Sequence, residues 1–328
     1  MKKIILFIFT LNLSLIAYNQ VIKGTIIDNK TKEIVYPASV YINGTFVGTL
    51  SDQNGNFQLD ISKYPSMPLT ISAIGYYSVT MSNVSAKKPL IIYLNPKLYE
   101  LNEVIINAKA KPRERRENLV IFRSEFLGTT GNSFNCEITN EDDIRFMNSA
   151  DNDTVRAFAV KPILIDNKAL GYKITYYLDK FEYCKPSSTF SFKGNIIFSE
   201  DMTSDEPKRK YFEKKRKNAY LGSRMQFFRA LWINDLNAAE FTVRNSANEV
   251  LNYDRIVTQA DSYTKYLTAQ GTLGICYFRK QPASFIVFLK NLVFFDANGY
   301  FEPDGISWEG EMAQPRIADQ LPLEYSAE

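Results

Sequence analysis

Apolar positions recur every second residue between residues 21 and 96. Ala38, Val40 and Ile42 point to one face while Ser39 and Tyr41 point to the other. Phe57, Leu59 and Ile61 repeat the pattern, as do Leu69, Ile71 and Ala73, and then Leu90, Ile92 and Leu94. Successive side chains of a strand alternate between faces, so this period predicts half-buried β-strands. Asp28-Asn29-Lys30, Asn43-Gly44, Asp52-Gln53-Asn54-Gly55 and Gly75 supply turn residues between them. Short strands at such spacing predict a small β-sandwich, whose core is modest at that length.

Beyond the charged stretch Lys109 to Glu117 the pattern changes. A helix is predicted over Glu114–Leu127, with Val120, Phe122, Phe126 and Leu127 sharing a face and Gly128 as its stop. A second begins at Ser204-Asp205-Glu206-Pro207, which offers an N-cap, acidic first-turn residues and an early proline. Leu221, Met225, Phe228, Trp232 and Leu236 continue it as one apolar stripe. Between the helices, Tyr172, Ile174, Tyr176 and Leu178 alternate with Lys173, Thr175, Tyr177 and Asp179, and Phe190 and Phe192 open another strand. Ser284 to Phe295 is apolar enough for a strand buried on both faces. The predicted fold is mainly β with α+β: a seven-stranded sandwich over 21–96, an edge strand and linker over 97–112, and a β-rich domain with two main helices over 113–328.

Residues 1–20 have a different character. Lys2 and Lys3 precede an apolar run from Ile4 to Ala17, and Ala17 stands at the −3 position for cleavage after Asn19. This is the pattern of a secretory signal peptide, with an apolar run short for a membrane span. No cysteine follows it that would take a lipid anchor. The expected destination is the periplasm or the outer-membrane surface. Without Lys2 and Lys3 the net charge falls from +3 to +1, which gives no basic excess for nucleic acid.

The chain has no histidine. That removes Ser-His-Asp and Cys-His catalysis, the HExxH zinc site and the imidazole switch. Cys136, Cys184 and Cys276 match no metal spacing; one disulfide with a leftover thiol and three buried thiols are both compatible with them. No cofactor is expected.

Several runs carry a family resemblance. Gly24-Thr25-Ile26-Ile27-Asp28, Pro37-Ala38-Ser39-Val40, Gly44-Thr45, the run from Gly48 to Phe57, Ile74-Gly75-Tyr76-Tyr77 and Ile91-Ile92-Tyr93-Leu94 follow one another in order. This stretch resembles the carboxypeptidase-regulatory-like domain, seen in Gram-negative envelope proteins. The resemblance implies a transthyretin-like sandwich that is an accessory module without catalytic residues. A zinc peptidase domain beside it would need histidine. Leu98 to Ile106 is similar to the segment that joins this module to the plug of TonB-dependent receptors. The chain left after Ile106 is too short for their 22-stranded barrel, at about 10 residues per strand plus loops. The remainder resembles the C-terminal part of secreted proteins with the same module, through Asn167 to Ile174, Phe181-Glu182-Tyr183, Ala219 to Ser223, Phe228 to Leu231 and Arg316 to Tyr325. That resemblance implies no activity. Where such relatives carry a histidine before the Phe-Phe-Arg-Ala-Leu run, this chain has Gln226.

Candidate chemistry is sparse. Lys208, Arg209, Lys210, Lys214, Lys215, Arg216 and Lys217 concentrate positive charge around the lone acid Glu213. They form the wet face of an amphipathic helix, with Tyr211 and Phe212 turned inward, or a patch for anionic lipid or another acidic partner. Glu309 and Glu311 stand beside Trp308, an aromatic that could stack on a sugar ring, and can be read as a glycosidase carboxylate pair, although Glu-x-Glu is a common exposed pattern. Glu141, Asp142 and Asp143 read as a loop or helix start. Asp52-Gln53-Asn54-Gly55-Asn56-Phe57 and Asp296-Ala297-Asn298-Gly299-Tyr300-Phe301 share one form. They lack the carboxylates of a calcium loop and fit Asn-Gly turns. The expected function is a non-catalytic exported envelope protein that binds a protein or glycan. The alternative is a histidine-free, carboxylate-dependent glycan hydrolase. A small C-terminal membrane barrel is opposed by the basic helix and by the non-aromatic ending.

Overall fold

The computed structural model describes residues 20–97, 112–261 and 264–327. Residues 1–19 of the expected signal peptide, and nearly all of the expected edge strand and linker, lie outside these residues.

The sandwich has the seven expected strands: β1 (Val21–Asp28), β2 (Ala38–Ile42), β3 (Gly48–Leu50), β4 (Asn56–Asp60), β5 (Leu69–Ala73), β6 (Val79–Met81) and β7 (Leu90–Leu94). They form two sheets, in the orders β4-β1-β7 and β3-β2-β5-β6. β1 and β7 pair in parallel, and the other pairs are antiparallel. Ile22, Ile26, Val40, Ile42, Leu69 and Ile71 fill the space between the sheets. One departure matters. Alternation places Tyr41 on the outer face, yet its side chain is fully buried, and every position of β5 is buried too. The outer face of this sheet is covered, and Tyr177 of the C-terminal region stacks on Tyr41 with ring centroids 5.9 Å apart.

Two further cores lie beyond the sandwich. The first joins α1 (Pro112–Leu127) to β8 (Cys136–Ile138), β9 (Ile144–Asn148), β10 (Thr154–Ala159), β11 (Ile163–Asn167), β12 (Tyr172–Cys184) and β13 (Thr189–Glu200) in one six-stranded sheet. Phe122 packs 4.8 Å from both Phe126 and Phe181. The buried face of α1 uses Asn118, Phe122 and Phe126, four apart, while Val120 is exposed. Asn118 tolerates burial because its amide donates to Asn148 Oδ1 at 3.0 Å.

The expected second helix is two helices. α2 (Glu206–Tyr220) starts as predicted, with Asp205 accepting from Lys208 N and Pro207 in the first turn. It stops before Leu221, and α3 (Arg224–Trp232) begins afresh with Ser223 Oγ accepting from Gln226 N. Gly222 stands between them at φ +75, a conformation that breaks a continuous helix. Leu221 is exposed in this turn and does not join the stripe. On α2 Phe212 is the one fully buried side chain; Tyr211 is exposed.

The third core packs α3 against two small sheets, β14-β17-β18-β20 and β15-β16-β19. Their strands are β14 (Phe241–Arg244), β15 (Val257–Asp261), β16 (Thr264–Leu267), β17 (Leu273–Tyr277), β18 (Ser284–Phe288), β19 (Val293–Phe295) and β20 (Ile306–Gly310), with a short α4 (Tyr253–Ile256). The apolar run Ser284 to Phe295 is thus two strands in different sheets, not one doubly buried strand. The chain turns between them, where Leu289 and Leu292 are exposed. Apolar residues in that turn mimic a continuous strand.

Both Asn-Gly loops are turns of the same construction. Asp52 Oδ1 accepts from Asn54 N and Asn56 N, and Asp296 Oδ1 accepts from Asn298 N and Tyr300 N. Gly55 and Gly299 take positive φ, at +71 and +85.

Candidate functional site

The sandwich and the C-terminal region meet through main-chain bonds. Gly44 N donates to Ile196 O at 2.9 Å, and Phe198 N donates to Thr45 O at 3.1 Å. Ile196 N donates to Asn43 Oδ1 at 2.7 Å, and Leu323 N donates to Gly44 O at 2.9 Å. The β2–β3 loop is therefore held between β13 and the C-terminal tail. Asn-Gly was legible as a turn; its second task, docking on β13, was not.

Behind this seam lies a cavity of about 550 Å³, within the range of small-ligand sites. The seam contributes Asn43, Gly44, Ile196 and Phe198. The α2–α3 turn contributes Leu221 to Met225, the third core contributes Tyr277 and Phe301, and Tyr300, which packs on the sandwich core, stands beside them. The loop after α1 adds Thr130 and Asn132, and the tail adds Asp319 and Leu321. The α2–α3 turn is closely fitted: a Cβ on Gly222 would lie 2.8 Å from the Tyr277 ring. Gln226 Oε1 accepts from Gly222 N at 2.6 Å and fixes this turn. Gln226 thus serves a structural purpose in this turn.

Charge in the cavity is unevenly satisfied. Arg224 Nε donates to Met312 O at 2.7 Å, and its guanidinium lies over the Trp308 ring at 5.2 Å. Burial, with the nearby Arg316 adding repulsion, pushes Arg224 down to about 10. Asp319 accepts from Thr130 Oγ1 at 2.9 Å and from Asn132 Nδ2 at 2.9 Å, yet burial pushes its carboxyl above the usual range. Burial also raises the Tyr300 phenol.

The sequence-predicted residues are dispersed around this site. Glu311 lines the cavity, in a 3-10 turn past the end of β20, and pairs with Arg279 at 2.9 Å. Glu309 is exposed on β20 opposite Phe285. Gly310, at φ +76, turns the chain between the two glutamates, so the strand rule that residues two apart share a face does not extend to Glu311. Trp308 is packed against Phe227, Phe228 and Phe301.

The basic run divides into different roles. Lys208 pairs with Asp201 at 3.1 Å, Lys210 with Glu206 at 2.8 Å and Arg209 with Glu213 at 3.7 Å. Arg216 points inward: it bonds Leu170 O, Gly171 O and Glu200, and lies 4.0 Å over the Tyr172 ring. Lys215 lines the junction cavity; Lys214 and Lys217 line a second pocket, with Phe46 and Tyr172. The sequence reading missed Arg224. No local pattern distinguishes it, because what sets it apart is the set of distant residues around it. Glu141 pairs with Arg123, and among the described residues no cluster of Cys, Asp and Glu could hold a metal ion.

No curated protein matches the chain. Among solved structures, a 9R-lipoxygenase from Cyanothece aligns with 11% identity and a TM-score of 0.19, covering 65% of this chain and 48% of the lipoxygenase. That score is too low to indicate a shared fold. Residues 22–106 match the family model of the CarboxypepD_reg-like domain, and the N-terminal sandwich is therefore a carboxypeptidase-regulatory-like domain.

Proposed function

We propose that this chain is an exported, non-catalytic binding protein of the cell envelope, and that the junction cavity is where it holds a glycan. The regulatory-like domain is a non-catalytic accessory β-sandwich. The observation that carries the reading is the composition of the cavity wall. Tyr277, Tyr300 and Phe301 stand with the amide side chains of Asn43, Asn132 and Asn218. Aromatic faces with a few polar groups suit a ring that is apolar on its faces and hydroxylated at its edge. The sandwich contributes directly to the wall through Asn43 and Gly44, which gives the accessory module a share in binding.

The test is binding of solubilised envelope glycan to the full chain, followed by calorimetry. Ala219 lines the cavity, so Ala219→Trp fills it. Binding that is saturable in the wild type and lost in a folded Ala219→Trp variant supports the reading. Equal binding by both proteins removes the cavity from it.

A further inference from the structure

We infer that the glycan is acidic and that Arg224 receives its anionic group. The inference rests on the reading of the cavity as a glycan site. A guanidinium has five N–H donors and no acceptor. In Arg224 the one donor with a partner is Nε, bound to Met312 O. No carboxylate lies within ion-pair distance of it among the described residues. Two other arginines of this region are fully bonded, while the neighbouring Arg316 leaves its buried Nε without a partner. Arg229 spreads its three nitrogens over Asn298 O, Tyr325 O and Leu323 O, and Arg216 bonds two carbonyls and Glu200. Arg224 keeps its two terminal nitrogens unbonded on a cavity wall. A desolvated cation without an acid is costly to the fold, and an incoming anion relieves that cost.

The surroundings favour an anion in the same space. α3 begins at Arg224, and Leu221 to Met225 line the cavity, so the positive end of the helix faces the site. Lys215 adds a second cation to the wall. The two acids that line it are already engaged: Glu311 by Arg279, and Asp319 by Thr130 and Asn132. The planar fork of Arg224, with Nε fixed on Met312 O, leaves its end free for two parallel bonds to a carboxylate or phosphate.

The experiment measures binding of three probes to the full chain: digalacturonate, its neutral methyl ester, and galactose 6-phosphate, with galactose as the reference. The wild type is expected to prefer digalacturonate over the ester by about tenfold, the value of a charge-assisted bond. Arg224→Gln is expected to abolish that preference; Arg224→Lys retains part of it. Preference for galactose 6-phosphate over galactose, lost in the same variant, assigns the phosphate as the better group. Equal binding of acid and ester, or a preference that survives in a folded Arg224→Gln protein, overturns the inference while the glycan site stands. Failure of every probe to bind overturns the glycan reading itself, and this inference with it.

Discussion

Ser39 Oγ and the Tyr177 phenol oxygen lie 2.7 Å apart, joining the outer face of the sandwich sheet to β12. Beneath that bond Tyr41 is sealed by the Tyr177 ring, and its own hydroxyl meets Ser72 Oγ at 2.9 Å. A buried hydroxyl pair has a net value of about 1 kcal/mol, and a stacked aromatic pair adds a similar amount. Ser39→Ala and Tyr177→Phe are each expected to cost about 1 kcal/mol. Their double mutant should cost less than the sum, because both remove the same bond. Denaturant titration of the four proteins checks this; strict additivity would show that the bond is not formed in solution.

This seam shows where the sequence was legible and where it was not. Local rules read the strands of the sandwich, because period two and Asn-Gly turns are short-range signals. They also read the start of α2, where Asp205 and Pro207 sit within one turn. They misread Tyr41, since alternation tells which face a side chain is on and not what covers that face. They joined α2 to α3 because Leu221, Met225 and Phe228 keep helical spacing across Gly222. The cavity was invisible for a related reason: Asn43, Arg224, Tyr277 and Asp319 are far apart in the chain and meet only once three cores have packed.

Gly171 separates two kinds of glycine. Its φ is +68, and a Cβ there would lie 2.3 Å from the Phe212 ring. Gly75 has φ +83 with open space around it. Gly75→Ala should therefore cost only backbone strain, about 1 kcal/mol, while Gly171→Ala adds a steric clash and should cost about 3 kcal/mol. Chemical denaturation distinguishes them; equal losses would mean that α2 shifts freely away from Gly171.

Two carboxylates give opposite pH responses. Asp28 accepts from Thr31 N, Tyr76 Oη and Lys30 N, which hold its carboxyl below the usual range. Its stabilisation is complete above the unfolded value of about 3.9 and is lost as pH falls through the lower folded value. Asp28→Asn should lower the melting temperature at pH 7, and the deficit should shrink as the solution is acidified below about pH 4. Asp319 is raised by burial, so ionising it opposes folding. That penalty appears as pH rises above the unfolded value and is complete once pH passes the folded one. Asp319→Asn should gain on the wild type across the same rise. Parallel melts from pH 3 to pH 7 test both signs.

The three thiols are unpaired and differ in access. Burial pushes Cys136 up to about 12, so at pH 8 it is held as the unreactive thiol. Cys276 is 1% exposed. Cys184, at the open end of β12, is half-buried. Titration of the native protein with a chromogenic disulfide at pH 8 should give one fast equivalent, absent in Cys184→Ser. Two fast equivalents would mean that the strand carrying Cys136 opens readily.

Arg229 is the clasp of the C-terminal tail. From α3 its Nη1 reaches Tyr325 O at 2.7 Å, its Nη2 reaches Leu323 O at 3.0 Å, and its Nε reaches Asn298 O at 2.9 Å. The tail in turn bonds the sandwich: Leu323 N donates to Gly44 O, and Glu324 Oε1 accepts from Phe46 N. One side chain thus ties the third core to the seam that closes the cavity. Lysine carries the charge and lacks the fork, so Arg229→Lys should behave almost as badly as Arg229→Met. Each is expected to lose about 3 kcal/mol, because carbonyls are left without donors. Hydrogen exchange should rise first at Leu323 and Tyr325 and next at Gly44, with β1 to β7 otherwise protected. Exchange that rises uniformly across the sandwich would show that the tail is part of its folding unit and not a separate latch.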